Sequence, residues 1–359
     1  MKRAMFITVL LSTLLLSVAG CAENTESQGN RSLDSDDKSW ERHGERMDEK
    51  GDKADSDGDS NGGPYGGRDG GRGGQGGGMS NQSSEPDEEL QAILDEVQDK
   101  YQLLTFTDPD TGYEMQYELF VPEKYDAAES YPMIMFIPDS RAAGREAEIS
   151  LTIGWGGVIW ATTGEQAKHP SFVLIPVFKE TIVDDNFNTS PQIEVAVNLI
   201  HDLCDTYSID TDRLYATGQS MGGMTSFHLN AAYPDLFAAS LFVGSQWNNE
   251  ILNVLEEDKF FYIVSAGDEK ASTGQTGLMA VFDADGVPYT HEEWSAQEDQ
   301  NTQNAFVESM IAKGLNANFV TFMKGTTVEG GASGSEHLTS FDYAYKLETV
   351  RDWLFAQSK

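Results

Sequence analysis

Leu214-Tyr215-Ala216-Thr217-Gly218-Gln219-Ser220-Met221-Gly222-Gly223 runs from a short apolar stretch into a G-x-S-x-G pattern, and from there into Met221 to Ala232, whose apolar residues recur near a 3.6 spacing. The pattern alone is weak, so its position must carry the reading. A strand that turns sharply into a helix exposes the residue at the turn, and glycines two before and two after Ser220 allow the flanking chain to approach closely. The first helical amide, Met221 N–H, has no partner inside the helix and is free to stabilise an anion formed beside Ser220.

Outward from this turn, apolar or β-branched runs recur at Leu103 to Thr107, Glu114 to Val121, Met133 to Ile137, Phe172 to Val177, Leu214 to Thr217, Phe237 to Val243, Phe260 to Ala266 and Phe319 to Met323. These predict eight strands. Helical spacing appears at Gln192 to Tyr207, Met221 to Ala232, Gln303 to Lys313 and Tyr343 to Gln357. Strands separated by helices predict an α/β fold, a mainly parallel eight-stranded sheet with helices on both faces. The first two strands have no helix between them and are expected to pair antiparallel. Residues 88–359 are long enough for one large domain. Ligands of such sheets bind at the carboxyl ends of the strands.

A serine hydroxyl needs a base, and the chain has six histidines. His43 lies in the N-terminal segment, His201 and His228 in predicted helices, and His169 at the amino end of a strand. His337 follows the Gly/Ser-rich stretch 330–335 after the last predicted strand, where a loop brings a ring over the carboxyl edge. His291 stays open as an alternative base, in an extended stretch expected to be a hairpin or insertion. Asp268 directly follows the apolar run Phe260 to Ala266, at the same sheet edge as Ser220, and is the candidate to orient the imidazole. Asp283, Asp285 and Asp299 are rivals that no strand end places.

The order Ser220, Asp268, His337 is that of α/β-hydrolases. Asp210-Thr211-Asp212-Arg213-Leu214-Tyr215-Ala216-Thr217, leading into Gly218 to Met224, resembles the members grouped with feruloyl esterases, polyhydroxyalkanoate depolymerases and predicted peptidases, over about 115–355. The resemblance implies an α/β-hydrolase fold and a Ser220, Asp268, His337 triad. It implies hydrolysis of carboxylic esters, feruloyl, acetyl or short-chain, free or linked to polysaccharide, more often than of peptides. A serine peptidase and a non-catalytic binding module on the same fold are the alternatives. Many relatives carry a His-Gly pair after the third strand; here Pro138-Asp139-Ser140-Arg141 stands instead. Pro138 has no N–H, so a second oxyanion donor besides Met221 must come from Asp139 or Ser140, with the Asp139 carboxylate turned away or paired with Arg141.

Trp155, Trp160 and Trp247 are candidates for lining a substrate pocket. Cys204, three residues after His201, reads as a buried helical cysteine. No histidine or cysteine spacing suggests a metal site, and no cofactor is expected.

The N-terminus has its own reading. Lys2 and Arg3 precede an apolar run from Met5 to Val18 that reads as a secretory signal over 1–20. Val18-Ala19-Gly20-Cys21 resembles the bacterial lipobox, which implies a lipid on Cys21, anchorage to the membrane and an extracytoplasmic location. Residues 21–87, rich in glycine and aspartate, predict a disordered tether. Asp57 to Gly62 matches half of a calcium loop, yet Arg68 occupies the place of the required glutamate. Residues 88–359 carry a net charge of −29, which makes nucleic acid a poor partner.

Overall fold

The computed structural model describes residues 87–328 and 335–359. The expected signal segment, Cys21, the tether to residue 86 and the half calcium loop lie outside the described residues, as does 329–334. In chain order the elements are α1 (Glu88–Val97), β1 (Gln102–Thr107), β2 (Glu114–Phe120), β3 (Tyr131–Ile137), α2 (Ile149–Thr152), α3 (Thr163–Lys168), β4 (Phe172–Val177), α4 (Gln192–Thr206) and β5 (Ile209–Gln219). They continue with α5 (Met221–Ala232), β6 (Ala239–Val243), β7 (Phe260–Ser265), α6 (Glu269–Asp285), β8 (Tyr289–Trp294), α7 (Gln300–Ile311), β9 (Ala317–Phe322), α8 (Glu336–Lys346) and α9 (Glu348–Phe355).

One sheet takes the order β1-β2-β4-β3-β5-β6-β7-β9-β8. The first strand pair is antiparallel, as expected, and β2 also meets β4 antiparallel; every later pairing is parallel. Alternation along each strand feeds two cores. Phe260, Tyr262 and Val264 of β7 face one, with Leu199, Phe227 and Phe282 from α4, α5 and α6. Phe261 and Ile263 face the other, with Met310, Tyr345 and Leu354 from α7, α8 and α9. Helices therefore cover both faces.

The described sheet has nine strands, not eight. The ninth is β8, where a hairpin or insertion was expected, and it pairs with β9 from Tyr289↔Ala317 to Trp294↔Phe322. As an edge strand it buries only Thr290 and Trp294 and presents Glu292 and Glu293, the charge pattern that protects a sheet edge from further pairing. Four helices go beyond those expected: α1, whose Leu90, Leu94 and Val97 fall on one buried face, the short α2 and α3, and the 17-residue α6 between β7 and β8. The single helix expected over Tyr343 to Gln357 is two, since the chain leaves helical geometry at Leu347 (φ −70°, ψ 91°).

Candidate active site

Ser220 stands at the junction of β5 and α5 with φ 51° and ψ −117°, a conformation that costs a non-glycine residue about 1–3 kcal/mol. Neighbouring backbone holds it there. Its N–H donates to Val243 O at 3.0 Å, and its carbonyl accepts from Met224 N–H at 2.9 Å. The flanking glycines are steric requirements: a Cβ on Gly218 would lie 2.4 Å from the Gly222 carbonyl carbon, and one on Gly222 would lie 1.8 Å from Ile137 O. The start of α5 is thus pressed against the carboxyl end of β3.

Asp268 caps α6, its Oδ1 accepting from Ala271 N–H at 3.2 Å, and is 7% exposed. Its Oδ2 lies 2.5 Å from His337 Nδ1, and His337 Nε2 lies 2.9 Å from Ser220 Oγ. The network assigns the tautomer: Nδ1–H donates to the carboxylate and Nε2 accepts from the serine hydroxyl. His337 sits in the first turn of α8 and not in the preceding loop, its ring edge-on to Phe341 at 5.0 Å. The structure therefore brings Ser220, Asp268 and His337 into one hydrogen-bonded line. His291 lies on β8, four strands from β5, bonded to Thr321 Oγ1 at 3.0 Å. Asp283 and Asp285 lie at the far end of α6, and Asp299 caps α7.

Asp139 and Ser140 follow β3 in a turn closed by bonds from Ala142 N–H to Asp139 O and from Ala143 N–H to Ser140 O. The Asp139 carboxylate is buried and turned to Arg141, which donates Nε–H at 2.9 Å and Nη2–H at 2.8 Å, while Gln219 Nε2–H donates at 2.8 Å. Burial opposes ionisation, but the bonds and charge of Arg141 outweigh it and hold the carboxyl below its usual range. With Met221 N–H at the first position of α5, two backbone segments bring amides to the same sheet edge.

The three tryptophans separate. Trp160 is fully buried, its indole N–H on Gly156 O and its ring edge-on to Tyr345 and Phe355, so the expected pocket role gives way to packing. Trp155 is also in the second core, with Lys346 over its ring at 4.3 Å. Trp247 does line an open cleft of about 600 Å³, together with Asp185, Phe187, Gln246, Asn249 and Lys270. Phe187, held at φ 63°, meets Trp247 edge-on at 5.3 Å. Ser220, Asp268 and His337 do not themselves line this cleft; its Glu269 follows Asp268 in the chain, and its Gln246 lies three residues beyond Val243, which anchors Ser220.

Cys204 is half-buried on α4, and burial pushes its thiol up to about 11, which leaves little thiolate for nucleophilic chemistry. Among the described residues Glu165, His169 and Asp352 place possible metal-ligand atoms within 4.8 Å of one another. That group is already an ion-pair network: Arg351 Nε–H donates to Glu165 at 3.0 Å, His169 bonds Asp352 at 2.8 Å, and Lys168 lies 3.4 Å from Asp352.

The sequence reading missed Gln219 as a partner of Asp139. It also missed Glu336, whose adjacency to His337 was visible while its partners 11 and 71 positions away were not.

Comparison with known proteins places this geometry in a fold class. No protein-family model matches the chain, and no curated protein matches it. Solved structures do. A thermostable esterase superposes with a TM-score of 0.58 at 23% identity over 73% of this chain, which spans 64% of that esterase's length. A feruloyl esterase module from Clostridium thermocellum, complexed with sinapinate, gives 0.48 at 12% identity, covering 74% of this chain and 91% of that one. An S-formylglutathione hydrolase from Staphylococcus aureus gives 0.41 at 12% identity, covering 71% and 98%. The chain has an α/β-hydrolase fold.

Proposed function

We propose that the protein is a serine hydrolase that cleaves carboxylic esters through an acyl-enzyme on Ser220. The observation that carries this reading is the line from Asp268 through His337 to Ser220, 2.5 Å and 2.9 Å long, ending on a strained serine at a strand-to-helix turn. In this mechanism His337 Nε2 takes the hydroxyl proton as Ser220 Oγ attacks the ester carbonyl. Asp268 fixes the ring tautomer and stabilises the imidazolium. The carbonyl oxygen, now an anion, accepts from Met221 N–H and from an amide of Asp139 or Ser140. The imidazolium then protonates the departing alcohol, and a water deprotonated by His337 releases the acid.

Ester cleavage asks less of this site than amide cleavage, because an alkoxide leaves more readily than an amine, which must first be protonated. The aromatic walls of Trp247 and Phe187, set among amide side chains, suit aromatic or short acyl groups on a polar alcohol, polysaccharide included. The test is an ester and an amide sharing one acyl group and differing only in the leaving group. The ester should be cleaved with far higher kcat/KM; equal or greater efficiency on the amide would promote the peptidase reading. Silence on both, with Ser220 unreactive to a fluorophosphonate, would favour a binding module.

For location we propose lipid anchorage through Cys21, supported by the apolar run ending at Val18-Ala19-Gly20-Cys21. Among the described residues no helix is long and apolar enough to cross a membrane. Cys21→Ser should release the protein from the membrane fraction, and an unmodified mature N-terminus by mass spectrometry would overturn the anchor.

A further inference from the structure

Glu336 is the residue beside His337, half-buried, and its carboxylate reaches the ends of two strands. Its Oε2 accepts from Ser265 Oγ–H at 2.7 Å and from Gly325 N–H at 2.8 Å. Ser265 is the last residue of β7 and opens the turn that carries Asp268: its Oγ also accepts from Gly267 N–H at 3.3 Å, and its carbonyl accepts from Asp268 N–H at 3.0 Å. Gly325 lies just beyond the end of β9. One carboxylate oxygen therefore ties the first turn of α8 to the ends of two adjacent strands, β7 and β9.

Gly267 makes the arrangement sterically possible. A Cβ there would lie 1.9 Å from the Glu336 carboxyl carbon and 1.9 Å from Oε1, so the carboxylate occupies the volume a side chain at 267 would take. Its backbone is not in the left-handed region, so alanine fits the chain itself, and the three atoms nearest to its Cβ all belong to the Glu336 carboxylate. The body of α8 is held elsewhere, by Phe341 and Tyr345 in the second core.

We propose that Glu336, accommodated by Gly267, is a positioning residue that sets His337 in register with Asp268 and Ser220. The pair His337 and Asp268 lies on separate elements, α8 and the β7 turn, and the Glu336 to Ser265 bond joins those two elements one residue from the base and three from the acid. This rests on the reading of Ser220, Asp268 and His337 as a reacting triad. A displacement near 1 Å at a reacting group costs about 10²-fold in rate, which sets the scale of the effect.

The test uses the full chain and a chromogenic short-chain ester, with fluorophosphonate labelling of Ser220 as a second readout. Glu336→Ala should lower kcat by about 10- to 100-fold with KM changed by less than about threefold, and slow labelling in parallel. Glu336→Gln should restore kcat to within about threefold, because both bonds land on a single oxygen that an amide carbonyl reproduces. Gly267→Ala evicts the carboxylate without removing it and should match Glu336→Ala, and the double variant should lose little more than either single. Gly267→Ala also keeps the test decisive if Glu336→Ala fails to fold. Wild-type kcat in Gly267→Ala or in folded Glu336→Ala, with Ser220→Ala inactive, overturns the positioning role alone. A wild-type protein that neither turns over the ester nor labels at Ser220 overturns the triad reading and this one with it.

Discussion

Replacing Gly222 with alanine tests whether the contact between α5 and the end of β3 builds the anion-stabilising site. The added Cβ would lie 1.8 Å from Ile137 O and 2.5 Å from the Ile137 carbonyl carbon, whereas ordinary contact begins at 3.4 Å. Both obstacles are backbone, so no side chain can swing aside. The two segments must separate by about 1.5 Å to regain van der Waals distance. Overpacking of this kind costs about 1–3 kcal/mol in stability, a Tm loss of roughly 2–12 °C for a domain of this size. The rate should suffer more. Met221 N–H moves with α5 while the amides of Asp139 and Ser140 stay with β3, and losing one oxyanion donor costs about 10²- to 10³-fold in kcat. The assay is kcat on a chromogenic ester alongside thermal unfolding. Gly164→Ala serves as the control, since nothing lies within 4 Å of a Cβ there. A Gly222→Ala protein that keeps more than about a tenth of wild-type kcat would refute the reasoning, because the donors would then not depend on this contact.

Ser220→Ala and His337→Ala should each remove most of the rate, on the order of 10⁶-fold, with the double variant losing little more, while His291→Ala stays near wild type; steady-state kinetics on purified variants decides it. Arg141→Ala should destabilise by about 3 kcal/mol near pH 7, since Asp139 stays buried with Gln219 and the backbone N–H of residue 141 as its remaining donors. Because the folded-state pKa of Asp139 is depressed, its contribution is present above the ordinary carboxylate range and lost as pH falls through the folded value. The Arg141→Ala penalty in urea unfolding should therefore shrink as pH drops toward 3. Asp258 is the opposite case: burial, with Asp235 adding to it, raises its pKa to about 7, so the native state grips the proton more tightly and stability falls as pH rises from about 4 to 7. Asp258→Asn should then stabilise the protein at pH 8 by on the order of 2 kcal/mol, after allowing for the solvent this group still sees, and by nearly nothing at pH 4.

The parts of the fold legible in the sequence are those whose burial is written in side chains. Most of the eight strands announce themselves as apolar runs because both faces of the sheet are covered there, as in β3, β4, β6, β7 and β9, while Ser220 and Asp268 stand out just past the ends of such runs and His337 by elimination among the six histidines. The illegible parts follow a different physical rule. β8 hides because Glu292 and Glu293, charges that protect this sheet edge, break its apolar run, whereas β1 at the other edge stays legible through Leu103, Leu104 and Phe106. Helix α6 hides because Gly274 and Gly277 lower its intrinsic propensity, yet a Cβ at either would strike Gln246 or Asn249, at 2.4 Å and 2.0 Å, in the segment that walls the cleft. Trp160 misleads in the reverse sense, since a large aromatic after a strand is equally suited to a core and to a pocket.

Gly222 and Gly267 each contribute by the atom they lack, and what occupies that space, Ile137 O in one case and the Glu336 carboxylate in the other, lies 85 and 69 positions away; Gly222 is legible because it stands in the G-x-S-x-G pattern, whereas no motif marks Gly267. A single chain names the residues that perform chemistry through the groups they carry. It names a residue that makes room only where a motif marks it, as at Gly222; at Gly267 the vacancy has no chemical signature until its occupant is placed. The Ser265, Gly267 and Glu336 arrangement follows from that difference. Nominating His337 required only elimination among six histidines and its place after the last predicted strand, but holding it at 2.9 Å from Ser220 requires two strand ends, a glycine and a carboxylate to meet at one point.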